Sequence, residues 1–270
     1  MLVAQITDPH VSLPGTILFG GYDPAAALTA VLTRIARLRP RPDLVFFTGD
    51  LTENGRPEEY AHFLRLLRGF DLRMAAIPGN HDRRDAFADA LRGSVVAIDG
   101  DASFGLQIAI DDLPVRILGL DTLALEGEAG GMLDAFRLGW LARQLEGAGD
   151  APALIFMHHP PVATGIAAMD IWSLADPEAF AGVVAEFPNI LRICCGHVHR
   201  VVETRFAGTA CGICPSVAWA VPLFEPAVRA PLVRQAPAFQ LHLLTDTGLV
   251  THTEFLAEFD PRLPPPRRSA

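Results

Sequence analysis

The sequence predicts an α/β protein, on three observations. Short apolar runs of strand length alternate with helical segments through the first half of the chain. Strand–helix alternation of this kind points to a mostly parallel sheet with covering helices. Several runs are apolar along their whole length, the pattern of strands buried on both faces. Polar clusters follow those runs directly, and ligands in open α/β sheets gather outside the carboxyl ends of strands.

The elements follow in order. Residues 2–6 read as a buried strand. Residues 24–39 read as a helix, with Leu28, Val31, Leu32, Ile35 and Leu38 on one face at helical spacing. Strand 44–48 follows, then a helix over 57–69 that buries Tyr60, Phe63, Leu64 and Leu67, then strand 74–77. Segments 107–110 and 115–120 flank "DDLP" as a hairpin. A helix over 136–147 precedes strand 153–157, and a helix over 177–187 precedes strand 191–195. Beyond Arg200 the pattern turns to strands, at 201–205 and then at 238–244 and 249–255 around the turn "TDTG". Residues 215–237 are rich in proline and bulky apolar side chains and read as a cap or an interface segment. The organisation expected is a catalytic core over 1–200, C-terminal strands completing the fold with a cap or oligomerisation segment over 201–258, and a disordered tail over 259–270.

Composition narrows the function classes. A chain of 270 residues with 50% hydrophobic content can bury a sizeable core. Its net charge of −9 disfavours a nucleic-acid polymer, which is bound by neutralising phosphates with basic groups. A small anion stays open, because a bound metal ion inverts the local field. Cys194, Cys195, Cys211 and Cys214 read as reduced core thiols, with a redox or zinc role for the Cys-x-x-Cys pair the alternative. No signal segment opens the chain and no apolar stretch reaches the roughly 20 residues of a membrane span, so a cytoplasmic protein without membrane attachment is expected.

The polar clusters carry the chemistry. They are Asp8-Pro9-His10, Gly49-Asp50, Gly79-Asn80-His81-Asp82, His158-His159 and Gly196-His197-Val198-His199. Six of the nine histidines lie in them, more than turn formation accounts for. Imidazole suits transition metals, while carboxylate and amide oxygens suit harder ions. If the segments are extended, ligands at i and i+2 point the same way, which pairs Asp8 with His10 and His197 with His199. Asp8, His10, Asp50, Asn80, His158, His197 and His199 are too many ligands for one tetrahedral ion. They suit two ions sharing a carboxylate, and Asp50 is the natural bridge.

"DPH", "GD", "GNHD", "MHHPP" and "GHVH", in this order, resemble the metallophosphoesterase superfamily, also called calcineurin-like. "GRPEEY" and "FMHHPP" are similar to its bacterial branch of glycerophosphodiester phosphodiesterases and class III cyclic nucleotide phosphodiesterases. The resemblance runs from residue 2 to about residue 200. It implies a two-sheet β-sandwich flanked by helices. It also implies two divalent ions, drawn from manganese, iron, zinc or cobalt. One ion takes Asp8, His10, Asp50 and His199, the other Asp50, Asn80, His158 and His197. By the same resemblance His81 is catalytic, and Gly79 lets the chain turn beneath these groups.

The expected substrate is a small phosphodiester, a glycerophosphodiester or a 3′,5′-cyclic nucleotide, with a phosphomonoester the alternative. A two-ion centre lowers the pKa of bound water and clamps the attacking and leaving oxygens, so in-line attack of hydroxide on phosphorus is expected. His81 is placed to bind a phosphoryl oxygen or protonate the leaving alkoxide, beside Asn80. Asp82 orients His81 or is a plain turn carboxylate. His159 reads as packing or as a partner of the ligands. His62, His242 and His252 read as structural or surface residues. Phe19 and Tyr22, in the loop after the first cluster, are candidate walls for the substrate's alcohol or base, with loop packing the alternative. A silent scaffold would have lost ligands or His81, and this chain keeps all of them. Trp219, Leu223 and Phe224 read poorly as core and point to a homo-oligomer, a dimer or larger.

Overall fold

The computed structural model describes residues 1–19, 21–124, 130–224 and 232–256. In chain order the elements are β1 (Leu2–Ile6), α1 (Pro24–Ala36), β2 (Leu44–Thr48), α2 (Pro57–Leu67), β3 (Met74–Ile77), α3 (Arg84–Leu91), β4 (Val96–Ala97), β5 (Ile108–Ile110) and β6 (Arg116–Leu120). Then come α4 (Ala135–Ala148), β7 (Ala153–Met157), α5 (Ala167–Asp170), α6 (Pro177–Glu186), β8 (Ile190–Cys195), β9 (Val202–Phe206), β10 (Thr209–Ile213), β11 (Ala238–Thr245) and β12 (Gly248–Phe255).

Two six-stranded sheets stack face to face, in the orders β12-β11-β1-β2-β3-β4 and β5-β6-β7-β8-β10-β9. In the first, β1 to β4 run parallel and β11 and β12 close one edge antiparallel. In the second, β6, β7, β8 and β10 run parallel between antiparallel β5 and β9. Both sheets are mixed, and the β-sandwich flanked by helices is the architecture the resemblance implied.

The fully apolar strands are explained by burial on both sides. On β2, Phe46 points between the sheets and stacks on Phe156 of β7 at 4.4 Å, while Phe47 points outward to Phe63 of α2 at 5.4 Å. Val3, Leu44, Ala75, Ile77, Ile117 and Leu154 share the inter-sheet core with Phe46. The outer face of the first sheet packs on α1 to α3, and that of the second on α4 and α6. A fully buried aromatic or branched side chain contributes about 1.5–3 kcal/mol, so these three layers hold the strand ends in a fixed relation.

Four elements escaped the sequence pattern. They are α3, the two-residue β4, the four-residue α5 and β10, which pairs with β9 around Ala207-Gly208. Cys211 and Cys214 are buried and unlinked, as are Cys194 and Cys195. Of the C-terminal strands, β11 and β12 lie in the first sheet and β9 and β10 in the second. The predicted tail, 259–270, and part of the predicted cap, 225–231, lie outside the described residues. No helix among the described residues is long and apolar enough to cross a membrane.

Candidate metal centre

All five polar clusters meet at one rim of the sandwich. Asp8 and His10 follow β1, Asp50 follows β2, Asn80 follows β3, His158 follows β7, and His197 and His199 follow β8. All five strands are parallel within their sheets, so their carboxyl ends emerge on the same side.

The backbone at these ends is not extended, contrary to the alternation argument. Asp8, His10, Asp50, His197 and His199 all have positive φ, between 47° and 71°. They are five of the nine non-glycine residues with positive φ among the described residues. Such conformations cost of order 1–3 kcal/mol each and persist where surrounding structure imposes them. Here the clamp is visible. The amides of Asp8 and His10 donate to the carbonyls of Gly49 and Asp50 at 3.1 and 3.0 Å, and that of His197 donates to Asp8 Oδ2 at 3.1 Å.

The glycines serve close approach. A Cβ on Gly49 would lie 2.5 Å from His158 Nδ1, and one on Gly79 would strike the Asp50 carboxylate. Gly79 opens the turn, its carbonyl accepting from the Asp82 amide at 2.9 Å, without a positive φ, and its missing Cβ leaves room for Asp50.

The side chains form two groups around Asp50. In the first, His10 Nε2 lies 3.2 Å from His199 Nε2, and His199 Nε2 lies 3.3 Å from Asp8 Oδ1. His10 Nδ1 faces Glu53 Oε2 at 2.8 Å, and His199 Nδ1 faces the Trp219 carbonyl at 3.0 Å. Both partners only accept, so each Nδ1 carries the proton and both Nε2 atoms turn lone pairs toward each other. Asp8 Oδ1 is buried without a hydrogen-bond partner. Two imidazole lone pairs and an unpartnered carboxylate oxygen converging in a buried space fit a cation.

In the second group, His158 Nε2 and His197 Nδ1 approach Asn80 Oδ1 at 3.0 and 2.9 Å. His158 Nδ1 donates to the Thr48 carbonyl at 2.7 Å, which again leaves Nε2 for a cation. Asp50 Oδ2 stands between the groups, 3.7 Å from His10 Nε2 and 3.5 Å from His158 Nε2. Its Oδ1 accepts from the His81 amide at 2.8 Å. That geometry fits the bridging position expected of Asp50.

The electrostatics agree. Burial would raise the Asp50 carboxyl, but His158, His81 and His10 hold it well below the usual carboxylate range. Burial likewise opposes, and His199 and His158 overcome, a lowered Asp8. His158 is pushed up to about 9: burial lowers it, but Asp50, Asp8 and the Thr48 carbonyl outweigh burial. A nitrogen that attracts a proton so strongly sits where positive charge is favoured.

His81 lies above this floor. Its Nδ1 donates to the Glu53 carbonyl at 2.8 Å, so Nε2 is left for a substrate. Burial lowers its pKa, but Asp50 and the Glu53 carbonyl raise it above the ordinary value on balance. Asp82 does not orient His81. Its carboxylate accepts from the amides of Leu51, Thr52 and Gly79 and from the hydroxyls of Tyr60 and Thr52. It ties the loop after β2 to the loop after β3. Burial and Asp50 push this carboxyl up to about 6, against the pull of those donors. His159 packs beside the second group, with Nδ1 2.8 Å from the Thr122 hydroxyl.

A pocket of about 240 Å³ opens over the centre, lined by His10, Asp50, Asn80, His81, His197 and His199 on its floor. Met169, Trp172, Trp219, Val221 and Leu232 form its wall, and of these the sequence pattern singled out only Trp219, as an interface residue. Tyr22 is not in that wall: it is buried and its hydroxyl donates to the Val217 carbonyl. It supports Trp219 from behind, with ring centroids 6.0 Å apart. Phe19 is exposed at the lip, edge-on to Trp219 at 4.3 Å. Trp219 itself corrects an expectation. It is 7% exposed and packs on His10 at 4.6 Å and His199 at 5.3 Å, so it belongs to the site and not to a free surface. Leu223 and Phe224 are exposed as expected, at 48% and 79%. A single Trp in a Pro-interrupted stretch carries no signal for its place in the fold.

Fold and site together define a class, an α/β sandwich whose strand ends gather buried His and Asp clusters of the kind that fit a pair of metal ions. The calcineurin-like phosphoesterase family matches residues 1–201, and the chain belongs to that family. It is 37% identical over 265 residues to a probable glycerophosphodiester phosphodiesterase of Arcobacter nitrofigilis, covering 96% of this chain and 95% of that protein. It is 30% identical over 200 residues to a 3′,5′-cyclic adenosine monophosphate phosphodiesterase of Pseudomonas aeruginosa, covering 74% and 70%. Its fold is similar to that of a dimetal phosphatase from Danio rerio, with a TM-score of 0.67 at 15% identity over 94% of this chain and 98% of that one.

Proposed function

We propose that this protein hydrolyses small phosphodiesters at a centre of two divalent ions. The observation that carries the reading is Asp50 Oδ2, shared between two convergent ligand groups beneath a pocket that also presents His81. Asp8, His10, Asp50 and His199 would hold one ion, and Asp50, Asn80, His158 and His197 the other. When bound, the ions supply Lewis acidity and lower the pKa of water for attack on phosphorus.

The chain's own residues do the rest. Asn80 and His81 flank the position of the phosphoryl group. His81, anchored through Nδ1, offers Nε2–H to a phosphoryl oxygen or to the departing alkoxide. Trp172, Trp219, Met169, Val221 and Leu232 wall the pocket and exclude water from the alcohol side. Two substrate classes fit: glycerophosphodiesters and 3′,5′-cyclic nucleotides, the substrates named for the two relatives above. The full-length match supports the first, and the indole wall favours the second by offering a face for a base to stack on.

A turnover panel with purified, metal-reconstituted protein tests this. Cyclic AMP, glycerophosphoethanolamine and bis(p-nitrophenyl) phosphate would be compared with p-nitrophenyl phosphate. Diester turnover well above monoester turnover is expected. Activity on the monoester alone would replace the reading with a phosphomonoesterase.

A homo-oligomer is part of the same reading. Leu223 and Phe224 leave large apolar surface exposed close to the site. Light scattering at micromolar concentration is expected to give a dimer or larger, and a strictly monomeric mass would refute it.

A further inference from the structure

We propose that Glu53 is the positioning residue for one half of the centre, where its carboxylate charge strengthens the ion held by Asp8, His10 and His199. It is not among the seven ligands. Its side chain accepts from His10 Nδ1 at 2.8 Å, and its own carbonyl accepts from His81 Nδ1 at 2.8 Å. One residue therefore sets the ring orientation of a metal ligand and of the group that faces the substrate.

The contrast with the other histidines makes the case. His199 and His158 are anchored through Nδ1 by neutral backbone carbonyls, those of Trp219 and Thr48. His10 alone among the ligand histidines is anchored by a carboxylate. A carboxylate behind an imidazole fixes the tautomer, raises the basicity of the ligating nitrogen and adds a negative charge near the cation. That charge lies on the His10 side, so its effect falls on one ion more than on the other.

Glu53 is also held still. Its amide donates to the Val11 carbonyl at 3.1 Å. The amides of Leu51 and Thr52 before it are bound by Asp82, and the amides of Asn54 and Arg56 after it by Glu59. Its side chain is only 15% exposed. A preorganised carboxylate loses little entropy in orienting His10, unlike a mobile surface one. Glu53, His10 and His81 are close enough together to hold an ion of their own. Their short contacts are already hydrogen bonds, however, and His81 Nδ1 is taken by the carbonyl, so the geometry is that of an anchor.

The inference rests on the two-ion reading of the site. The test is stepwise binding of Mn²⁺ to chelator-stripped full chain, by calorimetry, with ion content measured after dialysis. Wild type, Glu53→Gln, Glu53→Ala and Asn80→Ala would be compared, with Asn80→Ala marking which step belongs to the His158–His197 half. Glu53→Gln keeps size and an acceptor oxygen but removes the charge. We expect Glu53→Gln and Glu53→Ala to weaken the step that Asn80→Ala spares, by about 10–100-fold, with the other step nearly unmoved. The metal-free variants should keep wild-type thermal midpoints. Wild-type affinity in Glu53→Gln, equal weakening of both steps, or a third bound ion lost with Glu53 would overturn it. A wild-type chain that takes up no ion would overturn the two-ion reading as well.

Discussion

The two halves of the proposed centre share Asp50 and differ in almost everything else. In the Asp8–His10–His199 half every ligand has positive φ, at 51°, 47° and 56°. In the Asn80–His158–His197 half only His197 does, at 71°. The first half is backed by an indole and a carboxylate, Trp219 and Glu53. The second is backed by the Thr48 carbonyl and by the packing of His159. Strained ligands need neighbours that over-determine them, and the half with more strain is the half with more buttressing. The lesson is that a ligand's position is bought with contacts that are themselves far apart in sequence.

Removing what the halves share should have the largest effect. Asp50→Ala is expected to weaken both ions by more than the ~10–100-fold that loss of an outer hydrogen-bond partner costs. Two ions at full occupancy with normal turnover would sink the bridging assignment. Asn80→Ala sharpens the comparison, because it should release mainly one ion. Equal release of both would show that the halves are not the units drawn here.

Next in size is His81→Ala, which should keep both ions. With natural diesters the rate is expected to drop about 10²–10⁴-fold, the range for general acid catalysis. With p-nitrophenyl esters the loss should be clearly smaller, since that leaving group needs no proton. A uniform loss would instead make His81 a stabiliser of transition-state charge.

The smallest effect lies behind the site, in the packing that supports both halves. His242 on β11 donates through Nε2 to Gln5 Oε1 at 3.0 Å, and Gln5 in turn donates to Thr48 Oγ1 and to the Cys195 carbonyl. Burial, with a smaller push from Arg192, lowers the pKa of His242 from 6.5 to about 3. The unfolded chain therefore takes up a proton below pH 6.5 that the folded chain refuses until about pH 3. Stability contributed by the neutral ring is lost as pH falls through that window, by about 2 kcal/mol at pH 5. His242→Gln in the metal-free chain should flatten the dependence of unfolding free energy on pH between roughly 6.5 and 4.5, by up to one proton. An unchanged slope would show that the unfolded chain's other histidines carry the whole dependence.

Much of this was legible in the chain itself. The strands at 2–6, 44–48, 74–77 and 153–157 stand where the apolar runs put them, because a run buried on both faces needs no partner information to be recognised. The seven proposed ligands were legible for a related reason. Polar residues directly after such strands must emerge at the sheet's carboxyl edge, whatever the loops do. The elements that were missed are short or weakly patterned. The four residues of α5 carry no period, and β10, "TACGI", is a modest strand made firm only by pairing with β8 and β9.

Amino-acid order by itself determined the alternation of elements, the apolar faces and the polar side chains that gather as candidate ligands, because these depend on neighbours within one or two turns of chain. Tertiary structure decided the rest. It made Asp82 a loop tie and not a partner of His81, since the amides of residues 51 and 52 reach it only when β2 and β3 lie side by side. It placed Tyr22 behind Trp219, and Trp219 on His10, across about two hundred residues of chain. It also put Glu53 beside His10. Those contacts are set by how two sheets stack and by left-handed turns at their ends, and neither leaves a local trace in the order of residues.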